Sequence, residues 1–318
     1  MKRVNNLFQK IYSLDNLNLA DSVARKGKLK QTGVQIHILN AEKNIAALQK
    51  MIVDKTFKTS AYSTFFIYEP KEREIFRLPY FPDRIMHHAI MNVLEPVFVS
   101  CFTKDTYSCI KGKGVHAAAK AVKQALQNEG ETTFCLKFDI KKFYPNIDHT
   151  ILKNLLRRKI KDAELLNLLD EIIDSAPGLP IGNYLSQYFA NFYLTGFDHW
   201  VKEDQQVKYY FRYADDVVIL SNNKNYLHNL LAAIRCYLSN RLHLTIKENY
   251  QIFPVSARSI DFVGYRFYHR HTLLRKNIKK NFARMLVIRK NPASVAAYLG
   301  WTKHCNSRHL VKKLISKQ

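Results

Sequence analysis

Three aspartates are the residues of this chain best placed to do chemistry. Asp215 and Asp216 stand side by side in "YYFRYADDVVILSNN", 209 to 223, and Asp139 closes the β-rich run "TTFCLKFDI". Turns favour aspartate, so a pair of turn aspartates is the plain reading. A tight hairpin usually carries a glycine beside such residues, and Ala-Asp-Asp has none. If the strand ending at Asp139 pairs beside the hairpin, Asp139 and Asp215 face each other at the sheet edge. Like charges there repel unless a divalent cation lies between them. Mg2+ takes carboxylate oxygens, waters and substrate phosphates. Two such ions, about 3.5 to 4 Å apart, activate a hydroxyl and steady the leaving group of an in-line displacement.

The elements that must position these residues follow from pattern. "TTFCLKFDI" reads as a buried strand and "HTILKNLLRRKIKD" behind it as a helix. "GNYLSQYFANFYLTGFDHW", 182 to 200, reads as a helix with one aromatic face. Strands are expected over 208 to 213 and 217 to 221 around a turn at Ala214 and Asp215, then a helix over "NYLHNLLAAIRCYLSNRL" and a strand pair near "DFVGYRFYHRHTLLR". Strand, helix, hairpin, helix is the alternation of a ferredoxin-like sheet. The first third is mostly helical: "LDNLNLADSVARKG", "VQIHILNAEKNIAALQKMIVDKTF" and "DRIMHHAIMNVLEPVFV" have apolar residues at roughly helical spacing. Between them "TFFIYEP" and "REIFRLPYF" read as strands around a charged turn.

Charge narrows the partners. The 318 residues carry 50 Lys and Arg against 26 acidic residues, a formal charge of +24, far beyond what solubility requires. A polyanion is implied, and nucleic acid suits better than membrane because no apolar run approaches about 18 residues. The N-terminus lacks the apolar stretch of a signal peptide, and the five scattered cysteines contain no C-x-x-C pair, which places the chain in a reducing, cytoplasmic setting. Twelve histidines show no zinc-ligand spacing, so zinc is not expected. From 264 to 318 there are fourteen Lys and Arg and no acid. "FARMLVI" and "VAAYLGW" within that tail argue for a folded, basic, helical module over a disordered arm.

"KFDIKKFYPNID", 137 to 148, resembles the first palm motif of reverse transcriptases, and "YADD", 213 to 216, resembles their catalytic box. "LPYFPDR", 78 to 84, precedes them and "DFVGY", 261 to 265, follows where the family carries its primer grip. The resemblance spans roughly residues 20 to 310. It implies an α+β right-hand polymerase with a ferredoxin-like palm sheet and a helical, basic thumb: N-terminal extension and fingers over 1–130, palm over 131–260, primer grip and thumb over 261–318. Asp139, Asp215 and Asp216 would be catalytic and would bind two Mg2+ ions, with Mn2+ able to substitute and the Ile140 carbonyl as helper. Tyr144 would crowd a ribose 2′-hydroxyl, with packing beneath the sheet as its alternative. Arg73 and Arg84, preferred over Arg77, would hold the triphosphate, since guanidinium forks suit phosphate oxygens; surface or salt-bridge roles are the alternative. Lys247 would lie near the leaving pyrophosphate or be a solvated lysine.

One departure narrows the resemblance. Where most of the family has Gln-Gly followed by Ser-Pro, "GLPIGNYLSQYFANFYL", 178 to 194, has Ile181 and Gln187. Both resemble reverse transcriptases of diversity-generating retroelements, as do "NYQIFPV", "RSIDFVGYRFY", "HTLLRK" and "YLGWTKHCNS". Ile181 cannot make the directional hydrogen bonds of a glutamine at the nascent base pair; losing about 1.4 kcal/mol of discrimination is tenfold more error. Simple packing of Ile181 is the alternative. Gly182 would permit close backbone approach at a template strand. The subgroup implies error-prone, adenine-mutagenised copying of a template-repeat RNA, which serves as template and primer, into cDNA that diversifies a target gene. It also implies a pentameric helical-barrel accessory variability protein as partner. Phe262, Gly264, Tyr265, Arg275, Lys276, Lys279 and Lys280 would hold the RNA/DNA hybrid, the basic residues by its backbone. The chain end leaves no room for RNase H, integrase or endonuclease modules. A retron, group II intron or phage-defence enzyme, and a non-catalytic RNA-binding scaffold, are the competing readings; three acids facing a polyanion speak against the scaffold.

Overall fold

The computed structural model describes residues 2–68, 72–288 and 291–315. The chain forms two compact units that share it discontinuously. One comprises Met1–Phe102, Lys142–Gly196 and Arg241–Leu244; the other comprises Thr103–Lys141, Phe197–Asn240 and Thr245–Gln318.

Helices dominate the first unit. The segment 34 to 57, expected as one helix, breaks at Leu39 and Asn40 into Thr32–Ile38 and Ala41–Val53, where Asn40 leaves helical geometry (φ −133°, ψ 31°). Strands β1 (Ser63–Ile67) and β2 (Arg73–Arg77) pair antiparallel with Phe65 opposite Ile75. Residues 69–71 of the charged turn between them lie outside the described residues. The helix Ile85–Val99 is buried over most of its length and packs on Leu14–Arg25 and on the aromatic helix Tyr184–Tyr193. That aromatic helix is shorter than expected because Gly182, at φ +122°, cannot be helical, and the helix starts after it.

The second unit is built on a four-stranded antiparallel sheet. Its strands are β3 (Phe134–Asp139), β4 (Tyr209–Tyr213), β5 (Asp216–Ser221) and β6 (Gln251–Pro254), in the order β4-β5-β3-β6. With intervening helices this is the ferredoxin-like βαββαβ arrangement. Val217, Val218, Ile219 and Leu220 of β5 are all buried, so a continuous apolar run marks a strand covered on both faces. Leu227, Leu230, Leu231, Ile234 and Leu238 of the helix Lys224–Leu242 are buried at helical spacing. Ala118, Ala119 and Val122 of the helix Val115–Leu126 join Val218 and Leu220 in one core.

That core continues into a second sheet of three strands, where a pair was expected: β7 (Ile260–Phe262), β8 (Tyr265–Phe267) and β9 (Thr272–Leu274). The basic tail is folded and helical over Lys276–Ile288, Pro292–Thr302 and Arg308–Ile315. Asn291 caps the middle helix by accepting from the Ala293 and Ser294 N–H groups, and Pro292 opens it. Among the described residues no helix is long and apolar enough to cross a membrane.

Candidate active site

β-Sheet register brings the three aspartates to one edge of the second unit. Asp139, last in β3, pairs with Asp216, first in β5, while Tyr213 pairs with Asp216 across the hairpin. The hairpin loop is therefore Ala214-Asp215. Ala214 supplies the positive φ (+53°) that a glycine would normally take, so the sequence accepts strain at this turn. Beyond β3 the edge is closed by backbone hydrogen bonds: Ile140 N–H donates to the Asp215 carbonyl at 3.1 Å and Lys247 N–H to the Asp139 carbonyl at 2.9 Å. Ile140 is fully buried and bridges Ile246.

Two lysines stand among the carboxylates. The Lys247 ammonium lies 3.9 Å from Asp139 Oδ1 and 3.9 Å from Asp215 Oδ2. Lys137, on the same face of β3 as Asp139, lies 3.5 Å from Asp216 Oδ1 and donates to the Asp261 carbonyl. Lys247 was expected from the sequence and Lys137 was not; its alternation with Asp139 was the available signal. Burial above all, with the charges of Asp139 and Asp215, pushes the Asp216 carboxyl up to about 7 against the pull of Lys137. Asp216 Oδ1 is buried without a hydrogen-bond partner.

Among the described residues no three His, Cys, Asp or Glu side chains are gathered at metal-ligand spacing, and the aspartates lean on lysines instead. The donor set nevertheless fits a hard cation: three carboxylates stand at one edge, and a buried oxygen of Asp216 has no hydrogen bond, with only the Lys137 ammonium at 3.5 Å facing it.

The first unit contains a basic cavity of about 790 Å³. Lys28, Lys30, Arg77 and Arg84 line it with His88 and Gln187, and none of its described lining residues is acidic. Burial and the Arg84 charge lower the Lys28 ammonium, and burial with Arg77 lowers Arg84. His88 is pushed down to about 4, chiefly by burial, and is neutral at pH 7. The cavity thus crowds cations as the sheet edge crowds anions, a charge balance that suits an anion. Of the residues expected to bind nucleotide, Arg84, Gly182 and Gln187 line it; Arg73, Tyr144 and Ile181 do not. Arg73 is exposed at the start of β2, and Arg77, passed over in its favour, is at the cavity instead. Lys28, Lys30 and His88 were missed because they lie far from the motif in sequence.

One further expectation changes. The close approach that Gly182 permits is to the protein's own backbone: a Cβ there would lie 2.4 Å from the Phe76 carbonyl oxygen. Beside it the Ile181 carbonyl accepts from Phe76 N–H at 2.8 Å, fixing the half-buried Ile181 against β2. Tyr144 is half-buried, and its carbonyl accepts from Leu179 N–H at 2.9 Å.

In the second unit Phe262 and Tyr265 are fully buried, so their rings are not available to a nucleic acid. They belong to the core, with the Tyr265 hydroxyl donating to the Trp301 carbonyl at 3.1 Å. Gly264 (φ +87°) lies against the Trp301 ring, where a Cβ would come within 2.5 Å. Arg275 is paired with Asp261 at 2.5 Å, whereas Lys276, Lys279 and Lys280 are exposed.

The sequence profile of the reverse transcriptase (RNA-dependent DNA polymerase) family matches residues 69–267, more than half of the chain. The chain belongs to the reverse transcriptase family. Its class of activity is RNA-directed DNA polymerisation, for which members of the family use divalent metal ions. The reverse transcriptase is similar to protein YkfC of Escherichia coli (strain K12), 26% identical over 278 residues, 72% of this chain and 71% of that protein. It is 24% identical over 174 residues to the group II intron-encoded protein LtrA of Lactococcus lactis, 51% of this chain and 28% of LtrA. It is 27% identical over 191 residues to the retron Ec73 reverse transcriptase of Escherichia coli, 54% of this chain and 58% of that enzyme. In fold it resembles apo telomerase from Candida tropicalis (TM-score 0.51, 12% identity, 67% of this chain and 48% of that one), as a right-hand polymerase does.

A pH dependence of stability follows for the metal-free reverse transcriptase. Asp216 titrates near 7 when folded and near 3.8 when unfolded, so the folded state binds the extra proton between these values. Its stabilisation is complete below about pH 4 and lost as pH rises through about 7. Urea unfolding across this range should show that loss in the wild type relative to Asp216→Asn, and Mg2+ should offset it above pH 7. A pH-independent difference between the two proteins would contradict it.

Proposed function

We propose that this reverse transcriptase copies a template-repeat RNA into error-prone, adenine-mutagenised cDNA for diversification of a target gene, as the enzyme of a diversity-generating retroelement. The observation that carries the polymerase chemistry is the pairing of Asp139 with Asp216 beside the Ala214-Asp215 turn, which gathers three acids at one edge of the palm sheet. Asp139, Asp215 and Asp216, with the Ile140 carbonyl, would hold two Mg2+ or Mn2+ ions. Bound there, the ions supply activation of the primer hydroxyl and neutralisation of the leaving pyrophosphate. Lys247, 3.9 Å from two of the carboxylates, balances their charge and stands ready for a phosphate. Arg84 and Arg77 offer guanidinium forks to the triphosphate from the basic cavity, with Arg73 further along β2. Tyr144 selects deoxyribose by crowding the 2′-hydroxyl. Lys276, Lys279 and Lys280 hold the RNA/DNA hybrid by its backbone from the thumb. The division into fingers (1–130), palm (131–260) and thumb (261–318) belongs to this reading, as do the accessory variability protein and a cytoplasmic setting.

The retroelement assignment rests on Ile181 and Gln187. Ile181 is clamped to β2 through its carbonyl, and its side chain brings no hydrogen-bonding group to a nascent base pair. Sequencing the cDNA made on a defined primed RNA, beside an Ile181→Gln variant, tests it. Errors concentrated opposite adenine, and about tenfold fewer in the variant, are expected. Uniformly low error in both proteins would leave the polymerase and remove the subgroup. The similarity to LtrA and to the retron enzyme favours that second reading, a polymerase of an intron or retron.

A further inference from the structure

Behind the YADD hairpin lies a charged cluster with no solvent exposure. Arg212 and Asp198 are both 0% exposed. Arg212 Nε donates to Asp198 Oδ1 at 2.7 Å and Nη2 to Oδ2 at 2.5 Å, a two-pronged fork. Tyr210, two residues earlier in β4, donates its hydroxyl to Asp198 Oδ1 at 2.6 Å, and Thr106 donates to Oδ2 at 2.9 Å. The backbone around the arginine is held as well: Arg212 N–H donates to the Asp105 carbonyl and Tyr107 N–H to the Arg212 carbonyl, each at 3.0 Å.

Buried ion pairs are poor devices for stability, because desolvation consumes most of their attraction and apolar replacements do as well. What an apolar residue cannot do is direct a donor. The third guanidinium nitrogen, Nη1, donates to the Ala214 carbonyl at 3.1 Å. Ala214 is the residue of the hairpin forced to positive φ, a conformation an alanine leaves readily unless it is held. The next carbonyl, that of Asp215, accepts from Ile140 N–H at 3.1 Å.

We propose that Arg212 is a positioning residue: locked by Asp198, its guanidinium pins the Ala214 carbonyl and so keeps the left-handed turn that aims Asp215 and Asp216. This rests on the reading of those aspartates as the catalytic centre. The arginine touches neither nucleotide nor metal in this role. A lysine in its place cannot fork to the carboxylate and reach the turn together.

The test is single-nucleotide addition on a primed RNA, with thermal unfolding in parallel, for wild type, Arg212→Lys, Ala214→Gly, the double variant, and Asp216→Ala as control. Arg212→Lys is expected to lower kcat by about 100-fold with the nucleotide KM near the wild-type value, because a misaimed group costs rate and not ground-state binding. Glycine takes the turn's φ without strain, so Ala214→Gly in the Arg212→Lys background should recover about tenfold. Wild-type kcat in Arg212→Lys, or a loss that glycine does not recover and that follows the melting temperature, overturns the proposal. If Arg212→Lys fails to fold, Tyr210→Phe loosens Asp198 while leaving the ion pair: kcat lower by about fivefold is expected, and unchanged kcat overturns the proposal. Activity persisting in Asp216→Ala would refute the catalytic reading itself, whereas an inactive Asp216→Ala beside a normal Arg212→Lys refutes only the role of the arginine.

Discussion

Asp215→Ala is expected to slow nucleotide addition on a primed RNA by about a thousandfold or more, while the protein still folds and binds the primed RNA. The separation of effects follows from where Asp215 sits. It is a turn residue at the rim of the sheet, and the bond from Ile140 N–H to its carbonyl is made by backbone and survives the change. Its carboxylate lies 3.9 Å from the Lys247 ammonium, which the variant leaves facing Asp139 alone. Fluorescence anisotropy of a labelled primed RNA beside a single-turnover rate measurement checks both halves. A loss of affinity that matched the loss of rate would mean that Asp215 organises the binding surface and not the chemistry.

Gly182→Ala has the next largest expected effect, and its cause is steric. The added Cβ would stand 2.4 Å from the Phe76 carbonyl oxygen and 3.2 Å from Ile75 Cγ2, at a φ of +122° that an alanine resists. Relief requires β2 to move away, which breaks the 2.8 Å hydrogen bond from Phe76 N–H to the Ile181 carbonyl. The cost is about 3 kcal/mol or more. Because Gly182, Phe76, Arg77 and Arg84 line one basic cavity, nucleotide KM should rise as the melting temperature falls. A variant that melts and binds nucleotide like the wild type would show that β2 and the 181–182 segment are not coupled.

The four-stranded sheet was the most legible part of the sequence. A buried run ending in Asp139 and two aromatic and β-branched runs around Ala-Asp-Asp specify strands and a two-residue turn locally, and the sheet register follows from their burial. The three-stranded second sheet was read one strand short because β7, β8 and β9 have three residues each, too few for alternation to show. The break at Leu39 and Asn40 was missed because apolar spacing continues across it. Phe262 and Tyr265 were expected at the RNA/DNA hybrid from motif position alone, and both are instead fully buried in a core shared with the helix Val115–Leu126. Lys28, Lys30 and the Arg212 fork depend on contacts between segments distant in sequence, which no local pattern reports. Gly182 was read correctly as a place of close approach, but the group that approaches is the Phe76 carbonyl.

The central claim is that the edge formed by Asp139, Asp215 and Asp216 is a metal-dependent nucleotidyl-transfer centre. The most direct measurement is the rate of a single deoxynucleotide addition to a primed RNA across a Mg2+ titration, for the wild type and for Asp139→Asn. A wild-type rate that rises from zero and saturates with Mg2+, beside an Asp139→Asn rate lower by about a thousandfold at every concentration, is the predicted result. Equal rates in the two proteins, or addition that does not depend on the metal, would contradict it.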